Sequence, residues 1–313
     1  MTAVEMVATE TNNSSLVSPQ EKAMSIVLAT DGSDASVAAL YVARLMCADA
    51  PARVSVISVL EPMPLIVPAP DAMAIPPDME AARLEAQRAT VDSQIGRYDF
   101  TGRWSLDIRM GQPAESIVEF AHEREADLII VGLNKHGVIG RLFGEETAID
   151  IARLSDVPLL VAAPNMKRLP KRVMVAMDLN PEGLQGAPEA LASLADATSI
   201  SCVHVKPRSE MLGIDWAQYD AEYELAVRER FKEVEARFCS VGLRPDLVVL
   251  HGDPAHELAE YAAYSKAELI VVGVKRRQGR ARAVGGRVAA RVLRKTSCGV
   301  LVVPNIAATT AGI

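Results

Sequence analysis

Short apolar runs rich in β-branched residues alternate along the chain with stretches in which apolar residues recur every three or four positions. In the first half, the short runs predict strands at residues 25–30, 53–60, 104–110, 127–131 and 158–162. The stretches between them predict helices at residues 34–48, 78–97, 113–125 and 145–155. Continuous apolar strands separated by helices indicate a parallel sheet covered on both faces. Right-handed crossovers then give a doubly wound, Rossmann-like α/β fold whose ligand crevice lies beyond the carboxyl ends of the strands.

The pattern occurs twice. Residues 22–31 (KAMSIVLATD) return as residues 171–178 (KRVMVAMD). Three further pairs are offset by 140 to 141 residues and stay in order: 111–117 with 252–258, 126–132 with 267–273, and 157–164 with 298–304. We interpret this as a tandem duplication, and we call the two copies repeat one and repeat two. The predicted domains are residues 23–165 and 170–306, with a disordered tail at 1–22 and a short tail at 307–313.

Composition narrows the class of protein. Half of the 313 residues are hydrophobic, which is enough for two cores, and the net charge of -7 argues against a general nucleic-acid binder. The four cysteines are scattered and form no C-x-x-C pair, so buried reduced thiols are expected. The first 23 residues carry no apolar core of signal-peptide type, and no apolar run approaches the length of a bilayer span. We therefore expect a cytoplasmic protein without a membrane partner.

The two copies resemble the universal stress protein family in its tandem two-domain form. The resemblance rests on Asp31 and Asp178 after the first strand, on the G-x-P-A helix starts at 111 and 252, and on the ADLIIVG and AELIVVG strands. It implies five parallel strands in the order 3-2-1-4-5 in each domain, dimers through the last strand, ATP binding with magnesium, and a role in stress survival. An intramolecular pseudo-dimer would then join residues 159–162 to residues 300–303, and a homodimer of the whole chain stays an open alternative.

The phosphate loop is the part of the family pattern from which this chain departs. ATP-binding members carry G-x-x-G-x9-G-[S/T] after strand four, where backbone amides and a helix N-terminus face the phosphates. In repeat one, the matching positions and their neighbours are Gly132, Asn134, Lys135, Gly144, Glu145 and Glu146. In repeat two, they are Gly273, Arg276, Gly286 and Arg287. The resemblance therefore implies phosphate loops that have diverged in both repeats.

The charged residues in the two phosphate loops determine the affinity for ATP that we expect. A carboxylate about 5 Å from a phosphate charge costs on the order of 3 kcal/mol at an effective dielectric of about 20, or roughly a hundredfold in affinity. Glu145 and Glu146 would also suit the first turn of the fourth helix of repeat one, where they stabilise the helix dipole. Arg287 belongs to a basic cluster within residues 275–295, which predicts either a phosphate partner or a solvated basic face. We expect impaired ATP binding in both repeats.

The resemblance also implies a nucleoside pocket at the end of the first two strands of each repeat. In repeat one its residues are Ala29, Thr30, Asp31 and Val59, and in repeat two they are Asp178 and Val205. A turn residue ahead of Gly32 is an equal interpretation of Asp31.

A regulatory or protective protein that is not an enzyme is the function that these patterns favour, although weak ATPase activity stays open. Two alternatives remain: a scaffold that no longer binds nucleotide, and an adenylating enzyme. The second rests on residues 30–36 (TDGSDAS), which are similar to the Ser-Gly-Gly-x-Asp-Ser loop of ATP pyrophosphatases but lack its paired glycines. Cys202 and His204 share one strand face, but two ligands make a poor metal site, and no metal is expected.

Overall fold

The structure is a computed structural model, and the part of the chain that it describes excludes several segments. It describes residues 23–49, 52–62, 77–133, 145–180, 184, 186–194, 196–206, 216–275 and 287–305.

Repeat one forms the elements that its periodicity predicts, with bounds that agree within about two residues. They are β1 (Met24–Ala29), a 3-10 turn (Asp34–Ser36), α1 (Val37–Asp49), β2 (Ala52–Leu60), α2 (Pro77–Ile95), β3 (Ser105–Met110), α3 (Pro113–Glu123), β4 (Leu128–Gly132), α4 (Glu145–Leu154) and β5 (Leu159–Ala162).

Repeat two has the same succession of strands and helices. They are β6 (Arg172–Met177), α5 (Ala187–Leu194), β7 (Ser199–Lys206), α6 (Trp216–Ser240), β8 (Pro245–His251), α7 (Pro254–Tyr264), β9 (Leu269–Lys275), α8 (Arg287–Lys295) and β10 (Gly299–Asn305). Pro113 and Pro254 open α3 and α7, where a missing backbone donor costs the helix no hydrogen bond.

The described strands form one ten-stranded sheet in the order β3-β2-β1-β4-β5-β10-β9-β6-β7-β8. Within each repeat the neighbouring strands are parallel and follow the order 3-2-1-4-5, so the predicted Rossmann-like fold is confirmed. The repeats meet where β5 and β10 pair antiparallel, with Leu160 opposite Leu301. Because the junction is antiparallel, the carboxyl ends of the strands lie at opposite edges of the sheet in the two repeats.

Helices cover both faces of the sheet, and each face has an apolar layer that runs through both repeats. One layer packs α3, α4, α7 and α8 against the strands, with Phe120 and Val292 fully buried. The other packs α1, α2, α5 and α6, with Leu40 and Phe238 fully buried. Burial on both faces explains why the strands read as continuous apolar runs rather than alternating ones.

Candidate functional site

Some of the predicted phosphate-loop residues cannot be placed. Asn134, Lys135, Gly144, Arg276 and Gly286 lie outside the described residues. The candidate crevice of each repeat is therefore built from the ends of the first, second and fourth strands and from the start of the helix that follows the loop.

The aspartate after the first strand makes the same turn in both repeats. Asp31 Oδ1 accepts a hydrogen bond from the backbone N–H of Ser33 at 2.9 Å, and Asp178 Oδ1 accepts one from the N–H of Asn180 at 3.1 Å. Such bonds are typical of aspartates that fix a turn. The structure thus shows the turn interpretation of Asp31, while contact with a nucleoside stays a prediction.

A buried hydroxyl and amide network holds the β1–α1 turn of repeat one. Thr30 is fully buried, and its Oγ1 lies 2.7 Å from Gln94 Oε1 and 2.8 Å from Ser36 Oγ. Gln94 Nε2 donates to the carbonyl of Ser33 at 2.9 Å. Thr30 therefore belongs to the framework beneath the crevice, because its hydroxyl is already used.

A side chain from the second helix reaches across the end of the second strand in both repeats. In repeat one, Gln87 Nε2 donates to Ser58 Oγ at 2.8 Å and to the carbonyl of Asp31 at 3.1 Å. In repeat two, the buried His204 lies at the position of Ser58. Its Nδ1 is 2.9 Å from the carbonyl of Met177 and its Nε2 is 2.8 Å from Tyr223 Oη. These groups close the inner end of the predicted nucleoside pocket.

The apolar residues of the predicted pocket lie in the core. Ala29 and Val59 are buried in repeat one, and Val205 is buried in repeat two. A ligand at these positions would meet their backbone and not their side chains. The sequence pattern did not single out Gln87, Gln94 or Tyr223, although the spacing of seven residues between the two glutamines places them on one face of α2.

The first glycine of the phosphate loop has different surroundings in the two repeats. A methyl group added to Gly132 would lie 2.2 Å from the carbonyl oxygen of Ala35, so β4 ends tightly against the 3-10 turn. Gly273 is exposed, and a methyl group added to it would have Leu184 N as its nearest described neighbour, at 3.8 Å. The crevice is therefore closed at this point in repeat one and more open in repeat two.

The helix starts carry opposite charges. Glu145 and Glu146 form the first turn of α4, as expected, and Glu146 also forms an ion pair with Arg294 of α8. The hydrogen bond to Glu146 and the nearby charges of Glu146 and Glu145 raise the pKa of Arg294. In repeat two, the exposed Arg287 opens α8. Arg294 of repeat two thus neutralises part of the negative charge at the start of α4 in repeat one.

Arg291 of α8, another member of the basic cluster, is also paired within the protein. Arg291 binds both carboxylate oxygens of Asp253 at 2.8 Å, and Asp253 caps α7 by accepting from the N–H of His256. The bonds from Arg291 and His256 lower the pKa of Asp253. Arg291 and Arg294 therefore act within the protein, whereas Arg287 makes no ion pair with another described residue.

These features decide how well adenine nucleotide phosphates would fit. Repeat one presents a covered glycine and an acidic helix start, which suits a phosphate poorly. Repeat two presents an exposed glycine and an arginine at a helix N-terminus, which suits a phosphate better. Two buried side-chain atoms of repeat one lack a hydrogen-bond partner among the described residues, namely Ser33 Oγ and Arg83 Nη1. In that part of the chain, no three His, Cys, Asp or Glu side chains are grouped as a metal site.

Comparison with known proteins gives one consistent result. The model of the universal stress protein family matches residues 23–163 and again residues 170–304. A universal stress protein of Methanocaldococcus jannaschii is 30% identical over 145 residues, which cover 44% of this chain and 85% of that protein. One from Thermus aquaticus is 30% identical over 137 residues, covering 44% of this chain and 96% of its own. Each relative thus corresponds in length to about one repeat.

A solved structure shares the arrangement of nearly the whole chain. The universal stress protein of Archaeoglobus fulgidus superposes with a TM-score of 0.59 at 17% identity, covering 90% of this chain and 96% of that one. At this identity the likeness concerns the fold alone. None of the helices in the described ranges is long and apolar enough to cross a bilayer.

Proposed function

The chain belongs to the universal stress protein family, and we propose that it is a regulatory or protective member with weakened adenine-nucleotide binding. In this proposal the protein is not an enzyme, and nucleotide is a ligand that biases its state. We further propose that residues 23–165 and 170–306 act as two domains of one intramolecular pseudo-dimer. The pairing of β5 with β10 and the apolar layers common to both repeats support that arrangement.

The observation that carries the proposal is the contrast between the two fourth strands and the helices that follow them. Gly132 is covered by the turn at Ala35 and is followed by an acidic α4, whereas Gly273 is exposed and is followed by a basic α8. A phosphate group needs close approach of the backbone and positive charge. We therefore infer that the residual binding of Mg-ATP resides in repeat two, with Arg287 as its phosphate partner.

Titration calorimetry with Mg-ATP tests this assignment. We expect the wild type to bind weakly, with a dissociation constant near the millimolar range, and we expect Arg287→Glu to abolish that binding. Glu145→Gly/Glu146→Ser, which restores the final Gly-Ser pair of the family pattern in repeat one, should create a site at least about tenfold tighter. The estimate follows from removing a carboxylate about 5 Å from phosphate, which is worth up to roughly a hundredfold.

A matched control separates charge from loop shape. Glu145→Gln/Glu146→Gln removes the charges and keeps the side-chain size, so it should recover part of the gain. Micromolar binding by the wild type, with no improvement in either double variant, would contradict the charge argument. Retention of wild-type affinity in Arg287→Glu would contradict the assignment to repeat two.

A scaffold that binds no nucleotide is the second candidate, and one observation favours it. Gln87 in repeat one and the His204–Tyr223 pair in repeat two already use the polar groups at the ends of β2 and β7. A base entering there would have to replace these bonds. Complete absence of heat and of any rise in melting temperature with millimolar Mg-ATP would support the scaffold.

A further inference from the structure

A cavity of about 660 Å³ lies under residues 163–171, which form the connection between the two repeats. Its walls come from that connection, from the last turns of α7 and from the residues between α8 and β10. The cavity lies at the amino ends of β6, β9 and β10, whereas the crevice proposed for nucleotide lies beyond the carboxyl ends of the strands. This cavity and the proposed nucleotide crevice are therefore separate sites of repeat two. The volume of the cavity lies within the roughly 300–1,000 Å³ of sites that hold small molecules.

One wall of the cavity is apolar. Ala259, Ala262 and Ala263 line it, and their spacing of three and four residues places them on one face of α7. Met166 and Pro170 of the connection line the cavity as well, and both are buried. The short alanine side chains leave room for an apolar group to pack against the helix.

The polar lining is strongly basic. The cavity is lined by one carboxylate, Glu268, and by five cations: Lys167, Arg168, Arg172, Lys266 and Lys295. Glu268 is already fully used. It forms ion pairs with both arginines and accepts from the backbone N–H of Lys171 and of Arg172. None of the three lysines makes an ion pair with a described carboxylate within 4.0 Å, so their charge is available to a ligand.

Lys266 holds an unusual backbone conformation at the edge of this cavity. Its φ is 54°, and it lies two residues beyond the end of α7, where the N–H of Ala267 donates to the carbonyl of Ala262. Glycine is the usual residue at such a helix end, because a side chain there is strained. In repeat one, Glu125 occupies the same position with a φ of 47° and the equivalent bond from Ala126 to Ala121. The fold thus accepts the strain twice, but only repeat two places a cation there.

We propose that this cavity binds a small organic anion with an apolar body, such as a medium-chain carboxylate or an alkyl phosphate. The anionic head pairs with Lys266, Lys167 and Lys295, and the body packs along the alanine face of α7. Neither charge nor apolar surface alone explains the lining, since a bare inorganic anion would leave the alanines and Met166 without a partner. The inference is independent of nucleotide binding at the opposite end of the strands.

Calorimetric titration of the full chain with octanoate, octyl phosphate, butanoate, inorganic phosphate, octanol and octylammonium tests the proposal. We expect one site per chain for octanoate or octyl phosphate, and the tighter of the two identifies the head group. Octanol, octylammonium and inorganic phosphate should bind at least about tenfold more weakly. Butanoate should also be at least tenfold weaker, since each fully buried methylene is worth up to roughly fourfold.

Two variants and a matched control locate the site. Lys266→Gly should lose at least about fivefold in affinity for octanoate while raising the melting temperature, because glycine relieves the strained φ. Glu125→Gly should raise the melting temperature in the same way and leave the affinity unchanged. Ala263→Trp, at an exposed position on the cavity wall, should block binding. No binding of either octyl anion at millimolar concentration would overturn the proposal, as would equal affinity of octanol or unchanged affinity in both Lys266→Gly and Ala263→Trp.

Discussion

A single carboxylate ahead of the fourth strand fastens the start of the first strand in each repeat. Asp127 Oδ2 accepts from the N–H of Ser25 at 2.8 Å, and Glu268 accepts from the N–H of Lys171 at 2.7 Å. The longer side chain of Glu268 also reaches the guanidinium groups of Arg168 and Arg172. Although burial opposes ionisation, these bonds lower the pKa of Glu268 to about 2. The residue therefore ties the connection between the repeats to the sheet.

Glu268→Gln tests that role through its pH dependence. The pKa of Glu268 in the folded chain lies below its ordinary value of 4.5, so its stabilising effect is complete above about pH 4.5 and fades as the pH falls towards 2. At pH 7 the variant should lose on the order of 1 kcal/mol in free energy of unfolding, allowing for solvent screening. Urea unfolding at pH 7 and pH 3 measures the difference.

The control is Glu229→Gln, at an exposed position on α6, which should change little at either pH. A difference between wild type and Glu268→Gln that stays constant from pH 7 to pH 3 would argue against an ionised carboxylate as its source.

At the candidate site, the sequence predicts the hydrogen bonds of a side chain only where the bonding partner lies a few residues away along the chain. The turn made by Asp31 with Ser33 spans two residues and was one of two interpretations of the sequence. The bond between His204 and Tyr223 joins a strand to a helix 19 residues away, and a lone histidine gives no sign of it. Gly132 and Gly273 match the same motif, yet only packing against Ala35 distinguishes them. Tertiary contacts of this kind leave no periodic signal.

At the scale of elements, the helices α3 and α7 show how one motif diverged. Both begin with proline, but α7 is capped by the side chain of Asp253, whereas Gln112 makes no side-chain bond at the start of α3. Element bounds follow the sequence closely because hydrophobic period and proline position act within a few residues. Arg291, the ion-pair partner of the capping residue Asp253, lies 38 residues away from it and could not be assigned from either motif.

Replacing Asp253 separates the cap from the ion pair. Asp253→Ala loses both and should lower the melting temperature more than Asp253→Asn, because asparagine caps well but gives Arg291 no charged partner. Thermal unfolding at low and at high salt provides the measurement, and the extra loss in Asp253→Ala over Asp253→Asn should persist at high salt. Equal melting temperatures for the two variants would show that the cap contributes nothing.

At the scale of the molecule, the antiparallel junction makes one sheet of the two repeats. Leu160 and Leu301 face each other across it, and both are fully buried. We expect the repeats to unfold together, since each apolar layer runs through both. The periodic pattern predicted the succession of strands and helices, whereas the order 3-2-1-4-5 came from the family resemblance, because pairing between distant strands leaves no periodic signal. The intramolecular pseudo-dimer stays a proposal.

The two tryptophans, one in each repeat, allow this to be measured. The Trp216→Phe variant keeps only Trp104 and reports the unfolding of repeat one, whereas the Trp104→Phe variant keeps only Trp216 and reports that of repeat two. The urea transitions of the two variants should coincide. Leu301→Ala, added to each of these variants, should lower the free energy of unfolding by about 2–4 kcal/mol whichever tryptophan is followed, because it leaves a cavity in the junction. Leu225→Ala, at an exposed position on α6, is the control and should leave both transitions in place. Separate transitions would show that the repeats are independent.

The ion pair between Glu146 and Arg294 has a consequence for how this chain could have evolved. Residues 146 and 153 of α4 correspond to Arg287 and Arg294 of α8 at the offset of 141. Two separate copies of repeat two, paired by the same symmetry, would set Arg287 against Arg294 on both sides of the axis. Fusion removes the demand that each surface complement itself. In the fused chain Arg294 faces Glu146 instead of a second arginine, so the two helices no longer have to match each other in charge.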